Sequence, residues 1–304
     1  MTRNVGLVMV VLALLVTRSW AQDEVRGEGR VVVTVLPKTD AQAVTVDGKA
    51  AMVTVGGKKA EVKSWRALTE PGDGVEMVLL FDTGSRDSLG SQLDGIGKFV
   101  DRLPPNVRAT VAYMQNGTAR LAGPLTDDRS EVKKHLHTPL GGTSASPYFC
   151  LADLAQKWPG GVVGARHVVV MITDGIDPYQ EHFDPDDQYL QTAIRESVRV
   201  GLQVYGLYWK SRGGGDDGSQ AANDGQSLLQ VLTEATGGKN FWHGQGNPVS
   251  FEPYLDELLL RLKNQYELGF TAPLKGKPEV VSIRLKLQAP GASVDAPREV
   301  MVYR

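Results

Sequence analysis

Val75-Glu76-Met77-Val78-Leu79-Leu80-Phe81-Asp82 and His167-Val168-Val169-Val170-Met171-Ile172-Thr173-Asp174 are two apolar runs, each closed by an aspartate. Neither run alternates between apolar and polar residues, so neither has a face reserved for water. That is the pattern of strands in a parallel sheet covered on both sides. The intervening chain has helical rhythm. Ser88 to Leu103 carries Leu89, Leu93, Ile96 and Val100 near helical spacing, and Glu131 to His137, Ser146 to Trp158, Asp187 to Val200, Ser227 to Thr236 and Pro253 to Lys263 are further helical candidates. Val107 to Tyr113 and Leu202 to Tyr208 complete the strands of this middle region. Alternating strands and helices predict an α/β domain with a doubly wound, mostly parallel sheet over 74–265. Such sheets bind ligands at the carboxyl ends of their strands, where Asp82 and Asp174 both fall.

The flanks read differently. Arg30 to Leu36, Val44 to Val46 and Met52 to Val55 are β-branched runs, with Asp47-Gly48 and Gly56-Gly57 as turn signals. Tyr266 to Thr271, Val280 to Leu287 and Glu299 to Tyr303 repeat that style at the other end. Each flank, 22–73 and 266–304, is marginal as a folding unit alone. Together they predict one small β domain, most simply a sandwich; two separate flaps packed on the α/β domain are the other arrangement.

Residues 1–21 stand apart. Arg3 precedes an unbroken apolar run from Val5 to Val16, and Ser19-Trp20-Ala21 supplies the small residues a signal peptidase accepts. The run is shorter than the ~20 residues of a membrane span. An export signal and a secreted or periplasmic destination follow, with an uncleaved short anchor as the other reading. Removing 1–21 takes away Arg3 and Arg18 and no acids, so the formal charge moves from −2 to −4. A mildly acidic chain without a basic block lacks the footprint of a nucleic-acid binder. Cys150 is the one cysteine, so no disulfide forms within the chain, and its apolar neighbours predict a buried thiol.

Three segments meet at the aspartate edge: Asp82-Thr83-Gly84-Ser85-Arg86, Gly141-Gly142-Thr143-Ser144 and Ile172-Thr173-Asp174-Gly175. In this order and spacing they resemble the loops of a von Willebrand factor type A domain, whose metal-ion-dependent adhesion site takes Asp-x-Ser-x-Ser from the first, Thr from the second and Asp from the third. Ala235-Thr236-Gly237-Gly238 is similar to the turn before that family's last strand. Tyr266-Glu267-Leu268-Gly269-Phe270 and the early strands extend the likeness to the related family common in acidobacterial secreted proteins. The resemblance implies a non-enzymatic adhesion module that engages a protein partner, with metal ligands among Asp82, Ser85, Thr143 and Asp174.

Gly84 and Arg86 stand where that pattern has its serines. Mg²⁺ or another hard divalent cation takes oxygen ligands and lets water fill vacant positions, so losing two hydroxyls weakens the site. A guanidinium ~4 Å from the ion, at an effective dielectric of ~20, opposes it by about 4 kcal/mol per unit charge. Three arrangements stay open. Ser85 and Ser88 supply hydroxyls in a shifted register; Arg86 replaces the cation and pairs with Asp82 or Asp174; or Arg86 faces water and the site is vestigial. A metal-free scaffold of the cell envelope is the matching functional alternative.

Asp82-Thr83-Gly84-Ser85 also has the form of the aspartic-protease tetrapeptide. A second copy is missing, since 173–175 read Thr-Asp-Gly, and the context is strand–helix units instead of a compact barrel. His135, His137, His167, His182 and His243 show no zinc-ligand spacing and read as surface residues. Nucleotide-binding glycine motifs are missing. Two acidic loops complete the edge. Asp177, Glu181, Asp184, Asp186 and Asp187 either assist Ca²⁺ or a basic partner, or form a solvated loop whose Asp186 or Asp187 caps the next helix. Gly213 to Gly218, continuing to Asp224-Gly225, reads as exposed, flexible backbone.

Overall fold

The strand-rich flanks and the strand–helix middle separate into two sheets in the computed structural model, which describes residues 26–38, 46–139, 146–180, 182–212, 216 and 218–304. The strands are β1 (Arg26–Pro37), β2 (Met52–Val55), β3 (Lys58–Ala67), β4 (Val75–Asp82), β5 (Val107–Gln115), β6 (Thr118–Leu121), β7 (Arg166–Thr173), β8 (Leu202–Tyr208), β9 (Lys239–Asn240), β10 (Gln265–Pro273), β11 (Glu279–Lys286), β12 (Ala292–Asp295) and β13 (Glu299–Tyr303). The helices are α1 (Leu93–Asp101), α2 (Arg129–Lys134), α3 (Pro147–Gln156), α4 (Gln188–Arg199), α5 (Gln220–Thr236) and α6 (Glu252–Lys263). The expected export signal, residues 1–21, and the expected strand residues Val44 and Thr45 lie outside the described residues. No helix among the described residues is long and apolar enough to cross a membrane.

All eight residues of β4 are buried. Side chains alternate across a strand, so β4 feeds two cores at once. Met77, Leu79 and Phe81 pack with Ile96 and Phe99 of α1, Val132 of α2 and Leu258 of α6. Val78 and Leu80 pack on the other face with Leu151 of α3, Ile194 of α4 and Leu229 of α5. The sheet order is β6-β5-β4-β7-β8-β9. The pairs β4–β5, β4–β7, β7–β8 and β8–β9 are parallel, while β6 folds back antiparallel on β5. The α/β expectation holds; the sheet is mixed, because the hairpin at Asn116-Gly117, both at positive φ, returns the chain along its own edge.

The flanks do not stack as a sandwich. Strands β10, β3, β2, β11, β13 and β1 pair in that order, and β1 pairs back to β10, which closes an antiparallel barrel, with β12 paired to the Thr34–Pro37 end of β1. Closure removes the open edges that two short sheets would expose. Gly56 and Gly57, at φ 55° and 79°, make the two-residue turn that sets Val55 opposite Lys58. Positive φ at both central positions is the geometry of a tight hairpin turn that matches strand twist. Val33, Leu268, Phe270 and Val302 fill the barrel.

Candidate functional site

Register brings the aspartates together. Phe81 stands beside Ile172 across the β4–β7 seam, so the next residues, Asp82 and Thr173, meet at the carboxyl end of the sheet. The Thr173 hydroxyl donates to Asp82 Oδ2 at 2.8 Å, and the Gly84 amide donates to Oδ1 at 2.7 Å. Asp174, one residue further, accepts from the Ile176 amide at 3.1 Å and from the Ser211 amide at 3.1 Å. Both aspartates are 1 % exposed, and neither makes an ion pair among the described residues.

Burial, reinforced by the negative charge of Asp174, pushes the Asp82 carboxyl up to about 6. Burial also raises Asp174, against the pull of its bonds from Ser211 and Ile176. Two like charges in a water-poor crevice resist ionisation, which is how the pair acts on itself. Cys150 lies beneath, its thiol pushed up to about 12 by burial and by the Asp82 charge, so it is an inert core residue.

Ser211 was not expected. It follows β8 and forms an antiparallel bridge with Ser85, flanked by Arg86 N–H donating to Lys210 O at 3.0 Å and Arg212 N–H donating to Gly84 O at 2.8 Å. Arg212 adds a bond to Thr83 O at 3.1 Å and an ion pair with Asp87. The Asp82 loop is thereby sewn to the segment after β8. The signal available in sequence was the polar stretch Lys210-Ser211-Arg212 directly after an apolar strand.

Ser85 is fully buried, and its Oγ has no hydrogen-bond partner among the described residues. A buried hydroxyl without a partner costs about 1–3 kcal/mol, so its position marks a place where an oxygen ligand has no protein donor or acceptor to meet. Arg86 is exposed and its Nε donates to Ser211 O at 3.2 Å, which removes the arrangement in which it replaces the cation. Ser88 is exposed on the short 3₁₀ turn Asp87–Gln92, so the shifted register brings in Ser85 alone. Thr143, with Gly141, Gly142 and Ser144, lies outside the described residues.

Asp82, Asp174 and Ser85 supply hard oxygens, and an ionised carboxylate has about four lone-pair sites, more than the bonds either aspartate accepts here. This donor set fits a hard divalent cation that retains water. The described residues form no group of three or more His, Cys, Asp or Glu side chains with metal-holding geometry.

The other expectations sort clearly. Asp82 lies in the mixed sheet of the α/β domain and outside the barrel, the strand–helix context that the sequence indicated. Asp187, as one reading of the acidic loop had it, caps α4 by accepting from the Tyr189 and Leu190 amides. Asp177 is instead 3 % exposed and accepts from Ser146 Oγ at 2.6 Å, tying the start of α3 to the loop after β7. Asp224 and Gly225 are not loop residues; they lie inside α5, whose N-cap is Ser219. Gly225 is required there because a Cβ would sit 2.5 Å from Asp174 O. His167 is half-buried, stacked on Trp158 and 3.6 Å from buried Glu76, so it is no surface histidine. A cavity of about 470 Å³, lined in part by Arg30, Arg166, Arg199 and Glu299, lies at the opposite, amino-terminal end of β7 and touches none of these site residues.

No protein-family model matches this chain, and no curated protein matches it. Solved structures do. An aerotolerance-related membrane protein from Bacteroides fragilis is 17 % identical, with 62 % of this chain and 98 % of that chain covered and a TM-score of 0.46. The manganese-loaded TRAP protein of Plasmodium vivax is 13 % identical, with coverage of 78 % and 97 % and a TM-score of 0.41. The von Willebrand factor type A protein from Catenulispora acidiphila is 13 % identical, with coverage of 92 % and 75 % and a TM-score of 0.34.

Proposed function

We propose that this chain is an exported, non-enzymatic binding module of the von Willebrand factor type A kind, which engages a protein partner at the edge carrying Asp82, Ser85 and Asp174. The observation that carries the reading is the buried Ser85 hydroxyl, without a hydrogen-bond partner among the described residues, beside two buried carboxylates that make no ion pair among those residues. A bound divalent cation would supply a Lewis-acidic position able to take a carboxylate of the partner. The chain's own residues do the rest. Thr173 and the Gly84 and Ser211 amides orient the aspartates, and the Ser85–Ser211 bridge fixes the loop from which Ser85 projects. Thr143 would complete the set from the second loop.

Calorimetry with Mg²⁺, Mn²⁺ and Ca²⁺ on wild type, Asp82→Asn and Ser85→Ala tests this. Binding in wild type that weakens in both variants supports it; no heat with any ion in wild type sinks it. A metal-free envelope scaffold is the second reading, favoured by Gly84 and Arg86, whose amide and guanidinium serve loop geometry here. Partner capture that ignores chelator would select it. Export rests on residues 1–21, and mass spectrometry of the mature protein, with Gln22 expected as the first residue, checks it.

A further inference from the structure

Phe149 at the start of α3, Tyr179 in the loop after β7 and Tyr189 at the start of α4 form a three-ring cluster, with centroid separations of 5.9, 4.4 and 6.4 Å and every pair mutually inclined. Tyr189 packs its inner side against the core, while the other two rings reach solvent. Tyr179 is 66 % exposed and Phe149 37 %. Folding alone gives no reason to hold such rings in water, and contiguous exposed apolar surface with a polar border marks interaction sites.

The platform belongs to the carboxyl-end edge. Ser146, the cap of α3, bonds Asp177, and the Tyr148 hydroxyl donates to Gly175 O at 2.8 Å, so α3 and the loop after Asp174 move as one piece. The loop between Tyr179 and Tyr189 is held at both ends, by Asp177 and by the Asp187 cap. Its charge is one-sided. Between Tyr179 and Tyr189 the sequence has four acids, Glu181, Asp184, Asp186 and Asp187, and no Lys or Arg. Asp184 and Asp186 lie in the turn that leads into Tyr189, and neither makes an ion pair among the described residues.

We infer that the Phe149–Tyr179–Tyr189 platform docks a basic segment of the partner through its arginine side chains. A guanidinium stacks flat on an aromatic face while keeping its edge donors free for carboxylates, which an ammonium does less well. Exposed rings supply the faces, and Asp184 and Asp186 supply the acceptors. The assignment rests on the proposed reading only in taking this edge as partner-facing; it needs no cation.

The test is fluorescence anisotropy with fluorescein-labelled (Gly-Arg)₆ and (Gly-Lys)₆ peptides, in chelator and in Mg²⁺. Wild type is compared with Tyr179→Ala and Asp186→Asn, each verified as folded by circular dichroism and thermal melting. The arginine peptide is expected to bind at least about fivefold tighter than the lysine peptide, and Tyr179→Ala to weaken it about tenfold. Asp186→Asn should weaken both peptides, while chelator should leave the arginine peptide unmoved. Equal affinity for the two peptides, wild-type affinity in Tyr179→Ala, chelator-sensitive affinity, or no binding at all would overturn the platform. Failure of the cation reading shows separately, as missing Mg²⁺ heat with peptide binding intact.

Discussion

Thr173 and Asp82, joined by a 2.8 Å hydrogen bond across two parallel strands, place a charge that water cannot reach in the middle of the sheet edge. The folded protein raises the Asp82 carboxyl to about 6 from an ordinary value of 3.8. Below about pH 4 both folded and unfolded chains hold this proton, and Asp82 contributes no pH dependence. Between about 4 and 6 the folded chain keeps a proton that the unfolded chain has released, so stability falls as pH rises. Above 6 the full cost is present, about 3 kcal/mol. Urea denaturation in chelator should therefore show Asp82→Asn more stable than wild type at pH 7.5 and no more stable at pH 3.5. Equal differences at both pH values would contradict the assignment.

The same bond predicts the effect of Thr173→Val. The hydroxyl donates to Asp82 and accepts from the Gly175 amide at 3.1 Å, both out of contact with water. Valine keeps the shape and removes both bonds, leaving a buried acceptor and a buried donor, which costs about 1–3 kcal/mol. Urea midpoints at pH 7 measure this, and Thr173→Ser, which retains the hydroxyl, should recover most of the loss.

Two glycines at positive φ separate backbone strain from steric contact. Gly175, at φ 73°, would place a Cβ 2.4 Å from Gly225 O and 2.5 Å from Leu229 Cγ. Gly201, at φ 66°, has open space around the same position. Gly201→Ala should cost only the left-handed penalty of about 1–2 kcal/mol. Gly175→Ala should cost distinctly more, since α5 must also retreat from the site. Thermal melts of the two variants side by side decide it; equal losses would mean that α5 yields freely.

Much of this site was legible because the strongest pattern in the chain is also the one that builds it. The continuous apolar runs of β4 and β7 can only be strands buried on both faces, and a common direction carries Asp82 and Asp174 to one edge. Ser211 was hidden because its role comes from a backbone bridge to Ser85, and a bridge leaves no side-chain pattern. The barrel was read as a sandwich because strand content does not encode closure; that depends on β1 pairing with β10, distant in sequence. Asp224 and Gly225 read as loop from intrinsic propensity, yet Ser219 caps the helix and the close approach of Asp174 O requires glycine, so tertiary packing overrode the local preference.

Ser85→Ala distinguishes the two readings of the site by the sign of its effect. In chelator the Ser85 hydroxyl is a buried polar group with no partner among the described residues, so replacing its CH₂OH by the methyl group of alanine should raise stability by about 1 kcal/mol. With Mg²⁺ present, a binding-competent wild type gains stability in proportion to RT ln(1 + [L]/Kd), and the variant, lacking one oxygen ligand, should gain less. The difference between wild type and variant should then shrink or reverse as Mg²⁺ is added. Thermal melts across a Mg²⁺ series read this directly. A variant that is stabilised in chelator and keeps the same advantage at every Mg²⁺ concentration would mean that the crevice holds no cation at Ser85, and the metal-free scaffold would stand in its place.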